Sequence, residues 1–148
     1  MNYSFNRSSV YKEISINTSS PTKLVVMLYE GALQFLRQAI DDIGQKNYAR
    51  KSQSVDRTVA IIQHLQGTLD LEKGREIAYE LDRLYSYMTS RIFEGSAQLD
   101  TDALQEVAKL LETLLSGWEE IARKEQEHAV PTDLLAQQAT TGRFELHA

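Results

Sequence analysis

The chain has 148 residues, 42% hydrophobic and 25% charged, with a formal net charge of −5 and no cysteine. This suits one domain with a sizeable core, offers nucleic acid or an anionic membrane no electrostatic attraction, and excludes a disulfide framework or a thiol nucleophile. No apolar run approaches a membrane span, and the polar start MNYSFNRSS lacks a signal-peptide hydrophobic region, so a cytoplasmic address without membrane insertion is expected.

Residues 1–19 are polar with scattered large groups, among them Tyr3, Phe5, Tyr11, Ile14 and Ile16, and read as a segment outside the main fold. The two prolines stand at 21 and 131, and the proline-free stretch between them, rich in Leu, Ala, Glu, Gln, Lys and Arg, predicts helices throughout. Ser20 and Pro21 suit the N-cap and first position of a helix. Its stripe is Leu24, Leu28, Gly31, Phe35 and Ala39, widened by Val25, Ala32, Leu36, Ile40 and Ile43, and Gly44 is the expected stop. The run LVVMLY, residues 24–29, leaves no polar face over a full turn, so something beyond two neighbouring helices has to cover it.

A second helix is predicted from Tyr48, with stripe Tyr48, Val55, Val59, Ile62, Leu65 and Leu69 interrupted by Gln66. Asp70 suits the cap of a third, with stripe Ile77, Leu81, Leu84, Met88 and Ile92 flanked by Tyr85, and with Gly95 and Ser96 weakening its last turns. Asp100 or Thr101 opens a fourth, where Leu104, Val107, Leu111, Leu114, Trp118 and Ile121 keep 3–4 spacing. Four amphipathic helices on short connections predict an all-α antiparallel up-down four-helix bundle. The organisation expected is an N-terminal cap segment (1–19), a bundle domain (20–127) and a loose C-terminal tail (128–148), with a helical turn around Leu134 and Leu135.

Catalytic constellations are not evident. The single Glu-x-x-His, Glu125 to His128, falls at the end of the fourth helix among charged residues, whereas a carboxylate-bridged di-metal site needs two such motifs on different helices. The adjacent pairs Asp41–Asp42 and Glu119–Glu120 point about 100° apart on a helix and read as solvated surface. HLQGT, residues 64–68, is somewhat similar to the phosphate-accepting stretch of histidine phosphotransfer domains, but its glycine comes one residue early and Gln66 replaces a lysine. An exposed His64 without chemistry is the better reading, and phosphotransfer through His64 stands as the alternative function. No catalytic, metal or cofactor-binding residue is assigned.

SSPTKLVVMLYEGALQFL resembles the Ser-Pro-x-x-Leu…Leu-Tyr-x-Gly-Ala opening of the flagellar export chaperone family FliS. The likeness continues through RTVAIIQHLQGTLDLEKGREIAYELDRLYSYMTSRI and LDTDALQEVAKLLETLLSGWEEI, covering roughly residues 20–122 in consistent order. It departs at Glu80, where family members often carry Asn, and at Gly95–Ser96, where they often carry Ala-Asn.

The resemblance implies a non-enzymatic chaperone. Such a protein binds the disordered C-terminal segment of flagellin, prevents premature polymerisation and presents flagellin to the flagellar type III export gate. No cofactor is expected, and weak homo-oligomerisation is compatible with this role. A disordered apolar peptide is recognised through several shallow slots rather than one deep pocket. The candidate partner-binding residues are Tyr11, Ile14, Val25, Tyr29, Ile62, Leu65, Leu69, Ile77, Leu81 and Tyr85. In the family the tyrosine-bearing N-terminal segment is thought to lie over the flagellin site, which makes residues 1–17 a candidate displaceable lid across LVVMLY.

Overall fold

The computed structural model describes residues 20–128. They form four helices: α1 (Pro21–Gly44), α2 (Tyr48–Gly67), α3 (Leu71–Gln98) and α4 (Thr101–Glu127). Each start is capped by a short polar side chain. Ser20 accepts from the Lys23 N–H, Asn47 from the Arg50 N–H, Asp70 from the Glu72 and Lys73 N–H groups, and Asp100 from those of Asp102 and Ala103. These oxygens satisfy donors that a first helical turn otherwise leaves unpaired. The expectations at 1–19 and 129–148, including Tyr11, Ile14 and the turn at Leu134, lie outside the described residues.

The short connections reverse the chain each time. Thr22, at the start of α1, donates to Glu125 near the end of α4 at 3.1 Å, and Lys51, early in α2, reaches the Ser96 carbonyl late in α3 at 3.0 Å. The fold is therefore an all-α, up-down-up-down bundle. Helix α1 packs closely on α2 and α4, whereas α3 packs less extensively on the same two helices and lies diagonally across from α1. The core is built from Leu28, Leu36, Ile62, Met88, Ile92, Leu104, Val107 and Leu111, which are almost wholly enclosed. Packing a core this dense from Leu, Ile, Val and Met is the main stabilising term.

Several sequence expectations are corrected. Asp42 is 1% exposed, not solvated. It accepts from Gln38 Nε2 at 2.8 Å and Ser54 Oγ at 3.2 Å, with Arg50 Nε 3.5 Å away, because it falls one turn beyond the buried Ala39 on the inner stripe of α1. Helix α1 does end at Gly44, but the left-handed residue of the turn is Lys46, with φ 61°. Tyr48 and Ile121 are exposed rather than on the inner stripe, and Trp118 is only partly covered, since each lies toward an end of the bundle.

Helix α3 departs most from expectation. Arg75 has φ 50° and ψ −127°, a kink one turn after the Asp70 cap. Beyond it Ile77 is 71% exposed although it belongs to the same stripe as Met88, while Tyr85, expected at the flank, is buried. Gly95 and Ser96 lie within the helix, which runs on to Gln98. Gly95 is buried, and a Cβ there would lie 3.0 Å from the Ala103 Cβ and 3.1 Å from the Asp100 carbonyl. The missing side chain thus lets α4 begin directly against α3, with Leu99 at φ 54° making the turn.

Candidate functional site

The ten residues expected to bind a partner divide by burial. Tyr29, Ile62, Leu65 and Tyr85 are core residues, at most 3% exposed. Val25, Leu69 and Leu81 are partly buried and pack against that core. Ile77 is exposed, and Tyr11 and Ile14 lie outside the described residues. The structure does not gather these positions into one surface. The buried four shape the bundle from within.

Tyr29 and Tyr85 make the clearest internal device. Their hydroxyls hydrogen-bond to each other, with ring centroids 6.5 Å apart and planes tilted by 41°. The pair spans the diagonal between α1 and α3, two helices whose backbones do not approach closely. Burial raises both phenols above their ordinary range; for Tyr29 the hydrogen bonds to Tyr85 and Trp118 oppose that rise, and for Tyr85 the proximity of Tyr29 adds to it. Both are therefore neutral at physiological pH, as a bond between two hydroxyls requires.

The outer crevice between α1 and α4 opens twice. Near one end of the bundle a groove of about 370 Å³ is lined by Lys23, Val26 and Met27 from α1 and by Glu119, Ala122, Arg123 and Gln126 from α4. Near the other end, on the same faces of the two helices, Ile40 and Ala108 sit within a groove of about 480 Å³ rimmed by Arg37, Asp41, Gln105, Lys109 and Glu112. Arg37 and Glu112 pair across the crevice. The floor is apolar and the rim carries both signs of charge, which suits an amphipathic segment lying along the bundle. Val26 and Met27 were not among the expected contacts. Their signal was the unbroken run LVVMLY: its inner members Leu28 and Tyr29 enter the core, and its outer members line the crevice.

Polar chemistry elsewhere on the bundle is structural. Gln66, the interruption in the α2 stripe, donates to the Asp82 carboxylate at 2.9 Å and the Ser86 hydroxyl at 2.9 Å, clamping α2 to α3. On the opposite side of α3, Glu106 of α4 accepts from Tyr87 and from Arg91 Nε, the latter at 2.9 Å. The hydrogen bond from Tyr87, and then that from Arg91, lowers the Glu106 carboxyl below its usual range, and the same contacts raise Tyr87 and Arg91. His64 is half-buried on α2 rather than exposed, and Glu125 is partly buried against Thr22 rather than free in solvent. Among the described residues no group of three or more His, Asp or Glu could hold a metal ion, and no helix is long and apolar enough to cross a membrane.

Comparison with known proteins agrees with this architecture. The sequence model of the family described as "Flagellar protein FliS" matches residues 3–125. The chain is 34% identical over 124 residues to the flagellar secretion chaperone FliSB of Pseudomonas aeruginosa, covering 81% of this chain and 98% of that one. It is 33% identical to the flagellar secretion chaperone FliS of Salmonella typhimurium (79% of this chain, 87% of that one). Against FliS of Bacillus subtilis the identity is 30%, over 82% of this chain and 90% of that one. These matches run through all four helices and group the chain with secretion chaperones rather than with histidine phosphotransfer domains: it belongs to the FliS family of flagellar secretion chaperones.

Proposed function

We propose that this protein is a cytosolic export chaperone that holds the C-terminal segment of flagellin, keeps it from polymerising and helps deliver it to the flagellar type III export gate, without catalysis or cofactor. The observation that carries this reading is the family membership. The α1–α4 crevice supports it physically: two shallow, open grooves along one helix pair offer docking for a segment that folds as it binds. Coupled folding spends part of the contact energy on ordering the chain, so a long surface gives moderate affinity and allows release at export.

In this reading Val26, Met27 and Ala122 receive apolar residues of the flagellin segment, and Ile77 with the partly buried Leu81, Val25 and Leu69 extends the contact around the bundle. Residues 1–19, with Tyr11 and Ile14, act as a cap segment that competes for the apolar face of α1, beside the bundle of 20–127 and the tail of 128–148. Tyr29, Ile62, Leu65 and Tyr85 act by fixing the helix positions beneath that surface. An open fraction of about 1% lowers apparent affinity roughly a hundredfold, so deletion of residues 1–17 tightens binding.

The test is calorimetry with flagellin and with flagellin lacking its C-terminal segment. A 1:1 complex with a large negative heat-capacity change and a gain of helix is expected for the intact partner, and none for the truncated one. Met27→Glu abolishes binding while leaving the helical spectrum unchanged. Equal affinity for the truncated flagellin overturns the proposal.

A further inference from the structure

The two grooves lie in line along the α1–α4 crevice, and the chain continues past α4 from one end of it. Helix α4 ends at Glu127, and the nearer groove is lined by Ala122, Arg123 and Gln126 of its last turns, facing Lys23, Val26 and Met27 of α1. Thr22 donates to Glu125 at 3.1 Å and joins the two helices at this mouth. Residues 129–148, AVPTDLLAQQATTGRFELHA, then follow. Pro131 opposes continuation of α4, so the sequence turns away from the helix axis beside the groove. This tail also lies beyond residues 3–125, the stretch that the family model matches, so family membership says nothing of its role.

The tail carries two apolar clusters, Leu134–Leu135 and Phe144 with Leu146, separated by a polar stretch that includes Thr140, Thr141 and Gly142. We propose that residues 129–148 fold back along the α1–α4 crevice, with Leu134 and Leu135 over Val26, Met27 and Ala122, and Phe144 in the second groove against Ile40. The reach is sufficient. Ala122 lies about 9 Å from the end of α4 at 1.5 Å per residue, and the chain from His128 to Leu134 spans up to about 20 Å. From Ala122 to Ala108 of the second groove is about 21 Å along α4. A short helix over Leu134–Ala139 followed by extended chain to Phe144 covers about 25 Å, whereas a helix throughout covers only about 15 Å.

Charge selects this tail over the other end of the chain. The nearer groove is lined by Lys23 and Arg123 against Glu119, a surplus of one positive charge. The partners of Arg123, Glu120 and Glu127, are not among the lining residues. Residues 129–148 carry Asp133, Arg143 and Glu145, a surplus of one negative charge, while residues 1–19 carry Arg7, Lys12 and Glu13, a surplus of one positive charge. Asp133 stands directly before Leu134 and meets Lys23, for which no ion-pair partner is found among the described residues. Complementary charge of this kind fixes register more than it adds affinity. The tail shields the apolar floor of the crevice in the free protein, and an incoming partner displaces it. The docking does not rest on which partner that is.

The absence of cysteine allows crosslinking pairs to be placed at will. Full-length chains carrying Leu135→Cys with Met27→Cys, and Leu135→Cys with Ala122→Cys, are oxidised beside a control carrying Leu135→Cys with Tyr79→Cys, after thermal melts have checked their folding. Tyr79 is 54% exposed on α3, away from the crevice. Tethering holds the tail at a roughly millimolar effective concentration, so the disulfide is expected within one chain, at a rate unchanged from about 1 to 100 µM protein. Both crevice pairs are expected to close at least about tenfold faster than the control, because only a seated tail brings the two sulfurs within bonding geometry. Asp133→Lys slows the closure, and Lys23→Asp in the same chain restores it. Equal rates for the crevice and α3 pairs overturn the proposal. Faster closure of Met27→Cys with Ile14→Cys assigns the groove to the N-terminal segment and also overturns it. None of these readouts uses flagellin, so this proposal and the cargo reading fail separately.

Discussion

Helices α1 and α3 are similar amphipathic segments with opposite fates. In α1, a continuous set from Leu28 through Leu33 and Leu36 to Ala39 is buried, and even the acidic Asp42 is drawn inside. In α3, which is longer, burial is confined to Ala78, Tyr85, Met88, Ile92 and Gly95, and large side chains stand in solvent on both sides of them. The difference follows from position. Helix α1 has two close neighbours, whereas α3 is held more loosely by the same pair and is tied to α1 by one tyrosine–tyrosine bond. The bundle is thus closely packed around α1 and leaves large side chains uncovered along α3.

The strongest test of this contrast is truncation around α1. Leu36→Ala, at a position with no exposure, is expected to cost about 2–5 kcal/mol in urea unfolding, because the emptied volume cannot collapse between three packed helices. Trp118→Ala costs less than Leu111→Ala, since Trp118 is half-covered and Leu111 fully enclosed. The reverse order would show that the end of α4 is more tightly packed than its exposure indicates.

Removal of the buried carboxylate comes next. Asp42→Ala strands the Gln38 amide and the Ser54 hydroxyl, and a loss of about 1–3 kcal/mol is expected. Asp42→Asn retains acceptor capacity and recovers most of it.

The diagonal tie makes a pH prediction. Both phenols titrate above their ordinary range when folded. Their contribution to stability is therefore complete below about pH 10, where the unfolded chain's tyrosines are also neutral. It is lost as pH rises past that point, because the unfolded chain ionises first. Denaturation midpoints measured from pH 8 to 11 should fall in the upper part of that range. Tyr29→Phe and Tyr85→Phe should each flatten the fall; an unchanged slope would mean the pair does not couple to folding.

Smaller effects are expected in α3. Arg75→Gly relieves a backbone conformation that side chains rarely adopt and stabilises the protein by about 1 kcal/mol. Ile77→Ala changes stability by no more than about 0.5 kcal/mol, as for other exposed positions. If Ile77→Ala instead destabilises like a core truncation, α3 is not the open half of the bundle.

Much of the fold is legible in the sequence. Ser20, Asp70 and Asp100 sit at the boundaries where short polar side chains can hold helix N–H groups, and the 3–4 spacing of Leu104, Val107 and Leu111 placed them in the core; the cap at Asn47 was not read from the sequence. The candidate surface was less legible. Tyr29 and Ile62 were expected at a partner's contact because the apolar faces looked wide, yet width alone does not say which edge of a face is roofed by a neighbour. The outward pair Val26 and Met27 carried the same signal as the inward pair Leu28 and Tyr29, and only the direction of each side chain separates them.

Helix number, helix limits and the short connections are properties of local sequence: caps, proline placement and periodicity act within a few residues of the chain. Tertiary structure alone decided that Asp42 is enclosed by Gln38 and Ser54, that Ile77 lies beyond the reach of its neighbours, and that Tyr85 crosses the core to meet Tyr29. Each of these depends on which helix stands opposite and how far it extends. Such contacts join residues distant in sequence, and the spacing along one helix contains no measure of the distance to the next.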